Sequence, residues 1–119
     1  MEETRPLLVA VVDDLMFLSR IREAAKRHGS EVRAVRTAAD AVAACRDGAR
    51  MVLFDLDTPR LPVLDSVVAV AGDPALAGAL GLDVAVESDQ RHAREARAAG
   101  CRTVLPRSAF VRQLDELLR

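Results

Sequence analysis

Five short β-prone runs alternate with five stretches of helical periodicity along the chain, and four of the runs lead directly to a polar side chain. Leu7 to Val12 is a continuous apolar run, as a strand buried on both faces reads, and it stops at Asp13-Asp14. From Phe17 the spacing changes to that of a helix, with Phe17, Leu18, Ile21, Ala24 and Ala25 on one side and Gly29 as its stop. Val32 to Val35 forms a short alternating strand, and Thr37 is placed to cap a helix with Ala38, Ala41, Val42 and Cys45 on its apolar face, ended by Gly48. Met51 to Phe54 is a third strand ending at Asp55, with Asp57 close behind and Pro59 and Pro62 turning the chain into a loop. Leu64, Val67, Val68 and Ala71 mark the third helix. Gly72 to Gly81 reads as a loop with a helical turn around Ala75 to Ala79. Leu82 to Val86 is the fourth strand, Ser88-Asp89 a cap pair, and Ala93, Ala96 and Ala99 the face of a helix closed by Gly100. Thr103 to Leu105 is the fifth strand. Ser108 is expected to cap a last helix with Phe110, Val111, Leu114, Leu117 and Leu118 inward.

Strands that alternate with helices need right-handed crossovers, which places the strands in parallel and puts helices on both faces. The expected fold is therefore α/β, a doubly wound five-stranded parallel sheet, with residues 1–119 as one domain. Its core must come from Ala, Val and Leu, because the chain has three Phe, no Trp and no Tyr. The same absence removes stacking platforms for bases or sugars.

The formal net charge is −1, from 17 basic and 18 acidic side chains spread along the chain, so no single-sign field points to nucleic acid or an anionic membrane. All the basic residues but Lys26 are arginine. The longest apolar run falls far short of the roughly 20 residues of a membrane span, and the Glu2-Glu3 start lacks a signal peptide's basic region; a cytoplasmic location is expected. Cys45 and Cys101 have no CxxC spacing and read as buried small hydrophobes. His28 reads as a surface cation at a helix end and His92 as a surface residue within the fourth helix, among Arg91, Arg94, Arg97 and Arg102.

In a parallel sheet, ligands bind beyond the carboxyl ends of the strands, where the strand order switches. The chain delivers Asp13 and Asp14, Asp55 and Asp57, Ser88, and Arg107 to that edge. Carboxylates crowded there raise one another's pKa and call for a hard cation such as Mg²⁺. A carboxylate beside that cation can also accept a phosphoryl group.

Val11-Val-Asp-Asp14 before a helix, followed by Val52-Leu-Phe-Asp-Leu-Asp-Thr-Pro59, resembles the receiver domain of bacterial response regulators, and the order of elements matches over essentially the whole chain. The resemblance implies a flavodoxin-like (βα)5 sheet of order 2-1-3-4-5. It also implies a non-enzymatic phosphoacceptor role in a two-component phosphorelay, with Asp55, four residues before the Pro, taking the phosphoryl group. By the same resemblance Asp14 and Asp55 bind Mg²⁺ directly, Asp13 helps through water, and the carbonyl of Asp57 completes the protein ligands. Ser88 takes the position of the hydroxyl residue that contacts the phosphoryl group, and Arg107 that of a lysine which pairs with it. Asp89 stands where the family carries a small residue, and Val104 where it carries the switch aromatic. The implied partners are a histidine kinase or phosphotransfer protein, and a downstream protein that meets the fourth helix, fifth strand and fifth helix. With no output domain in these 119 residues, the expectation is signalling by contact, or that the chain is a fragment of a larger protein. Two roles stay open at this level: a regulated receiver, or a pseudo-receiver acting as a phosphorylation-independent interaction module. Phe54 to Thr58 also resembles the first motif of haloacid-dehalogenase-type phosphatases, but too little chain follows it for the remaining sites of such an enzyme.

Overall fold

A computed structural model describes residues 5–58, 60–78 and 80–119; the Glu2-Glu3 start, Pro59 and Ala79 lie outside the described residues. Five strands and five helices alternate as β1 (Leu7–Val11), α1 (Leu15–Arg27), β2 (Glu31–Ala34), α2 (Ala38–Arg46), β3 (Ala49–Asp55), α3 (Val63–Ala71), β4 (Leu82–Glu87), α4 (Ala93–Ala98), β5 (Thr103–Pro106) and α5 (Arg107–Leu117). All neighbouring strands run parallel, in the order β2-β1-β3-β4-β5. The doubly wound parallel sheet expected from the alternation is the sheet observed, and its strand order is the flavodoxin-like 2-1-3-4-5 that the resemblance implies.

Strand pleating divides the core in two. Val9, Val11, Val52, Phe54 and Ala85 face α2, α3 and α4, where Ala41, Cys45, Val67, Val70 and Ala96 cover them. Leu8, Ala10, Leu53, Val84 and Val86 face the other way, against Phe17, Ile21, Phe110 and Leu114 of α1 and α5. Phe17 and Phe110 meet edge to face, with ring centroids 6.0 Å apart, and so lock α1 to α5 beneath the strand ends. The two cysteines are free and buried, and burial pushes each thiol up to about 11, which keeps both neutral. No helix among the described residues is long and apolar enough to cross a membrane.

The helix stops follow the glycines. After α4, Gly100 adopts φ +114°, Cys101 donates its N–H to the Ala96 carbonyl at 3.0 Å and Gly100 to that of Arg97 at 3.0 Å, a paired closure that satisfies the last helical carbonyls. Gly29 closes α1 in the same way.

Three local expectations are corrected. α4 does not start at Ser88-Asp89: it spans only Ala93–Ala98, because Gln90 takes φ +58° and the residues before Ala93 form turns. His92 consequently precedes α4 and does not lie within it. Ser108 does not cap α5, which begins at Arg107 directly after Pro106, whose fixed φ of −57° starts the helix without a side-chain cap. Of the arginines around α4, Arg102 is engaged: its guanidinium reaches Asp83 at 2.6 Å and the Gly81 carbonyl at 3.1 Å.

A side chain at position 100 would have to adopt that left-handed backbone, and its Cβ would come within 2.5 Å of Cβ of Ala71 in α3. Gly100→Ala should therefore destabilise the fold by about 2 kcal/mol or more, from backbone strain plus overpacking, as read by urea denaturation; a variant as stable as the parent would refute this packing.

Candidate functional site

The sheet delivers its polar residues to one edge. Asp55 closes β3 and is almost fully buried, at 1% exposure, one residue beyond the end of β1 and paired with Val86 of β4, which continues past it. Its Oδ1 accepts the backbone N–H of Asp57 at 3.0 Å, a local turn that shapes the loop after β3. Asp14 follows β1 in extended conformation and caps α1: its Oδ1 accepts the N–H groups of Met16 at 3.0 Å and Phe17 at 3.1 Å. Its Oδ2 accepts from Nη2 of Arg107 at 2.9 Å.

Arg107, at the first turn of α5, stands among the acids. Nη2 lies 3.5 Å from Oδ2 of Asp55, Nη1 lies 3.7 Å from Oδ2 of Asp57, and the guanidinium carbon sits 4.0 Å from the centroid of the Phe17 ring. Only about a quarter of the side chain is exposed. Asp57 in turn accepts the backbone N–H of Ser88 at 3.0 Å and its hydroxyl at 2.9 Å, which ties the β3–α3 loop to the β4–α4 loop. Asp13 occupies the rim, paired with Arg36 at 2.5 Å and Arg60 at 3.6 Å.

Thus the structure brings Asp13, Asp14, Asp55, Asp57 and Arg107 to one open cleft of about 440 Å³. Ser88 lies beside it, lining a second hollow with Asp14 and Arg107. Every residue singled out from the sequence reaches this edge, but two are engaged in ways the sequence does not disclose. The carboxylate of Asp13 is neutralised by arginines from α2's approach and the β3–α3 loop, and the Ser88 hydroxyl is donated to Asp57.

Electrostatics separate the two central acids. Burial holds the Asp55 carboxyl above its ordinary pKa, reinforced by the charges of Asp57 and Asp14, while the Asp57 N–H and Arg107 oppose the rise. Asp14 goes the other way: the N–H of Phe17, with further help from Arg107, holds it below the ordinary range against some desolvation.

Sequence reasoning missed one feature. Glu87, the last residue of β4, is 1% exposed; its carboxylate accepts the backbone N–H of His92 at 2.5 Å and pairs with the His92 ring nitrogen Nδ1. That pairing raises the pKa of His92. Asp57, Glu87 and Asp89 can bring carboxylate oxygens within 4.8 Å of one another, though Asp89 is also paired with Arg91 at 2.9 Å. A Glu directly after the apolar run Val84–Val86 was the available signal, but the partner five residues on becomes visible only once the turn before α4 is known.

The donor chemistry fits a hard divalent ion: carboxylate oxygens of Asp14 and Asp55, with the Asp57 backbone beside them, are the ligands Mg²⁺ prefers. The cation that these carboxylates hold in the fold is the Arg107 guanidinium.

A five-stranded parallel sheet of order 2-1-3-4-5 with five helices is the fold of response-regulator receiver domains. A response regulator from Hahella chejuensis matches with a TM-score of 0.74 at 19% identity, over 95% of this chain and 92% of that one. The receiver domain of a sensor histidine kinase from Pseudomonas aeruginosa PAO1, solved with a magnesium ion coordinated in its active site cleft, matches at 0.72 and 18% identity over 97% and 98% of the two chains. A chemotaxis response regulator of Vibrio cholerae matches at 0.72 and 16% identity over 96% and 99%. No protein-family model matches the chain, and no curated protein does.

Three substitutions separate the roles of the central acids in metal-free buffer. Asp14→Ala should cost about 1 kcal/mol through loss of the α1 cap, whereas Asp14→Asn keeps an acceptor and should cost less; equal losses in urea melts would argue against the capping role. The Asp14 contribution is present above the ordinary carboxylate pKa and is lost as pH falls through its lowered value. For Asp55 the sign is opposite, because the folded state resists its ionisation as pH rises. Asp55→Asn should therefore raise Tm at pH 7, with the gain shrinking as pH falls through the raised pKa of Asp55 and gone below about pH 4, the ordinary carboxylate pKa.

Proposed function

We propose that this chain is a receiver domain, spanning residues 1–119, that accepts a phosphoryl group on Asp55 and signals through contact with a partner protein. The observation that carries this reading is the buried Asp55 carboxylate at the end of β3, with Asp14 and Arg107 converging on the same edge. The donor is a phosphohistidine of a histidine kinase or phosphotransfer protein. The P–N bond breaks with its electron pair left on the imidazole nitrogen, and an oxygen of Asp55 forms the new P–O bond.

Asp14, Asp55 and the backbone carbonyl of Asp57 would hold Mg²⁺, with Asp13 acting through water. When bound, the ion neutralises charge on the incoming phosphoryl oxygens. Asp55 supplies the nucleophilic oxygen, Ser88 and Arg107 would contact the transferred group, and the Asp57 N–H orients the carboxylate through Oδ1. The chain is a phosphoacceptor and not an enzyme, acting in the cytoplasm without nucleic acid or membrane.

The output face in this reading comprises α4, β5 and α5. There Arg94 and Arg97 are exposed and make no ion pair among the described residues, while Val104 fills the interior where a switch aromatic would otherwise turn.

Incubation with acetyl phosphate and Mg²⁺ should add the mass of one phosphoryl group, and the gain should vanish in Asp55→Asn. No gain under any condition would sink the phosphoacceptor reading and leave the phosphorylation-independent interaction module. Charge reversal of Arg94 and Arg97 should weaken capture of the partner in a pull-down while leaving Tm unchanged; undiminished capture would exclude this face.

A further inference from the structure

We propose that Arg107 is a tethered cation that competes with a divalent metal for Asp14 and Asp55, so that the acidic cleft is neutralised from within and admits a metal only when the guanidinium leaves. This rests on the acidic cleft of the proposed receiver, and not on phosphoryl transfer itself.

Three observations carry it. First, one nitrogen, Nη2, is shared between Oδ2 of Asp14 at 2.9 Å and Oδ2 of Asp55 at 3.5 Å, the two carboxylates that would supply direct metal ligands. The other oxygen of each is already committed, Asp14 Oδ1 to the α1 cap and Asp55 Oδ1 to the N–H of Asp57. A metal and Nη2 therefore need the same pair of oxygens. Second, Nη1 faces Asp57 at 3.7 Å, so the planar fork meets all three carboxylates at once, a reach that the point charge of a lysine ammonium does not have. Third, the seat is built. The guanidinium lies 4.0 Å from the centre of the Phe17 ring, and that ring is fixed edge to face by Phe110 from the helix that carries Arg107. Asp14 caps the helix that carries Phe17, so one capped turn positions both the carboxylate and the aromatic face.

Simultaneous occupancy would set a guanidinium against a dication across a few ångströms, where repulsion between like charges is strong. Metal binding is then linked to displacement of Arg107, and the apparent affinity is reduced by the fraction of molecules in which the arginine is away.

The chain has no Trp or Tyr to report binding by fluorescence, so the measurement is Mn²⁺ titration by water-proton relaxation, checked with Mg²⁺ by calorimetry. Arg107→Ala should bind Mn²⁺ about tenfold more tightly than the parent, corresponding to a competing seat of roughly 1.4 kcal/mol. Arg107→Lys, which keeps the charge but loses the fork and the stack, should fall between them and guards against misfolding of the alanine variant. Adding Mg²⁺ should raise Tm more in Arg107→Ala than in the parent. The gain should disappear in the Asp14→Asn, Arg107→Ala double variant. Equal or weaker Mn²⁺ binding by both Arg107 variants, or no binding by any of them, overturns the competition. A chain that shows the competition but takes no phosphoryl group from acetyl phosphate fails the proposed function alone, and a chain that is phosphorylated while its Arg107 variants bind Mn²⁺ no more tightly fails this inference alone.

Discussion

Burial of β1 and β3 on both faces is the constraint from which the rest of the structure follows. Val9, Ala10, Val52 and Leu53 have no exposed surface, so each face of the sheet needs its own layer of helices, and the chain has to cross between strands every time it forms one. With both faces sealed, the strand ends are where the central strands can present polar groups to water. Asp14 and Asp55 collect at one edge for that reason, and the chemistry of the molecule is confined to it.

Crowding those acids creates a charge that the fold must answer. Asp55 is held buried with its pKa pushed up, Asp14 is drawn down by capping α1, and Asp57 is occupied by Ser88. Arg107 meets all three from the first turn of α5, backed by Phe17. Sheet, aromatic pair and acidic cleft are thus one connected arrangement: the Phe17–Phe110 contact that packs α1 on α5 also positions the cation and the capped carboxylate. The large planar side chain at position 107 gives this receiver fold a resident positive charge of a kind that a lysine would supply less firmly.

The alternation of strands and helices was legible in the chain because its period is set locally, and so were the glycine stops at Gly29 and Gly100, where the backbone itself requires glycine. Boundaries set by turns were not. α4 shrinks to Ala93–Ala98 because the stretch after Glu87 folds back so that His92 pairs with the buried Glu87 carboxylate, an interaction without periodic signature. Ser108 looked like a cap, yet Pro106 starts α5 two residues earlier.

The amino-acid order by itself determined the sheet, its two apolar faces and the set of polar residues that reach its carboxyl edge, since hydrophobic period and breaker residues act over a few positions. Only the tertiary structure decided which of those residues meet. That Ser88 donates to Asp57, that Asp13 pairs with Arg36 and Arg60, and that the Arg107 guanidinium stands between Asp14 and Asp55 are contacts between distant segments, and their geometry depends on how the loops are packed rather than on which residues they contain.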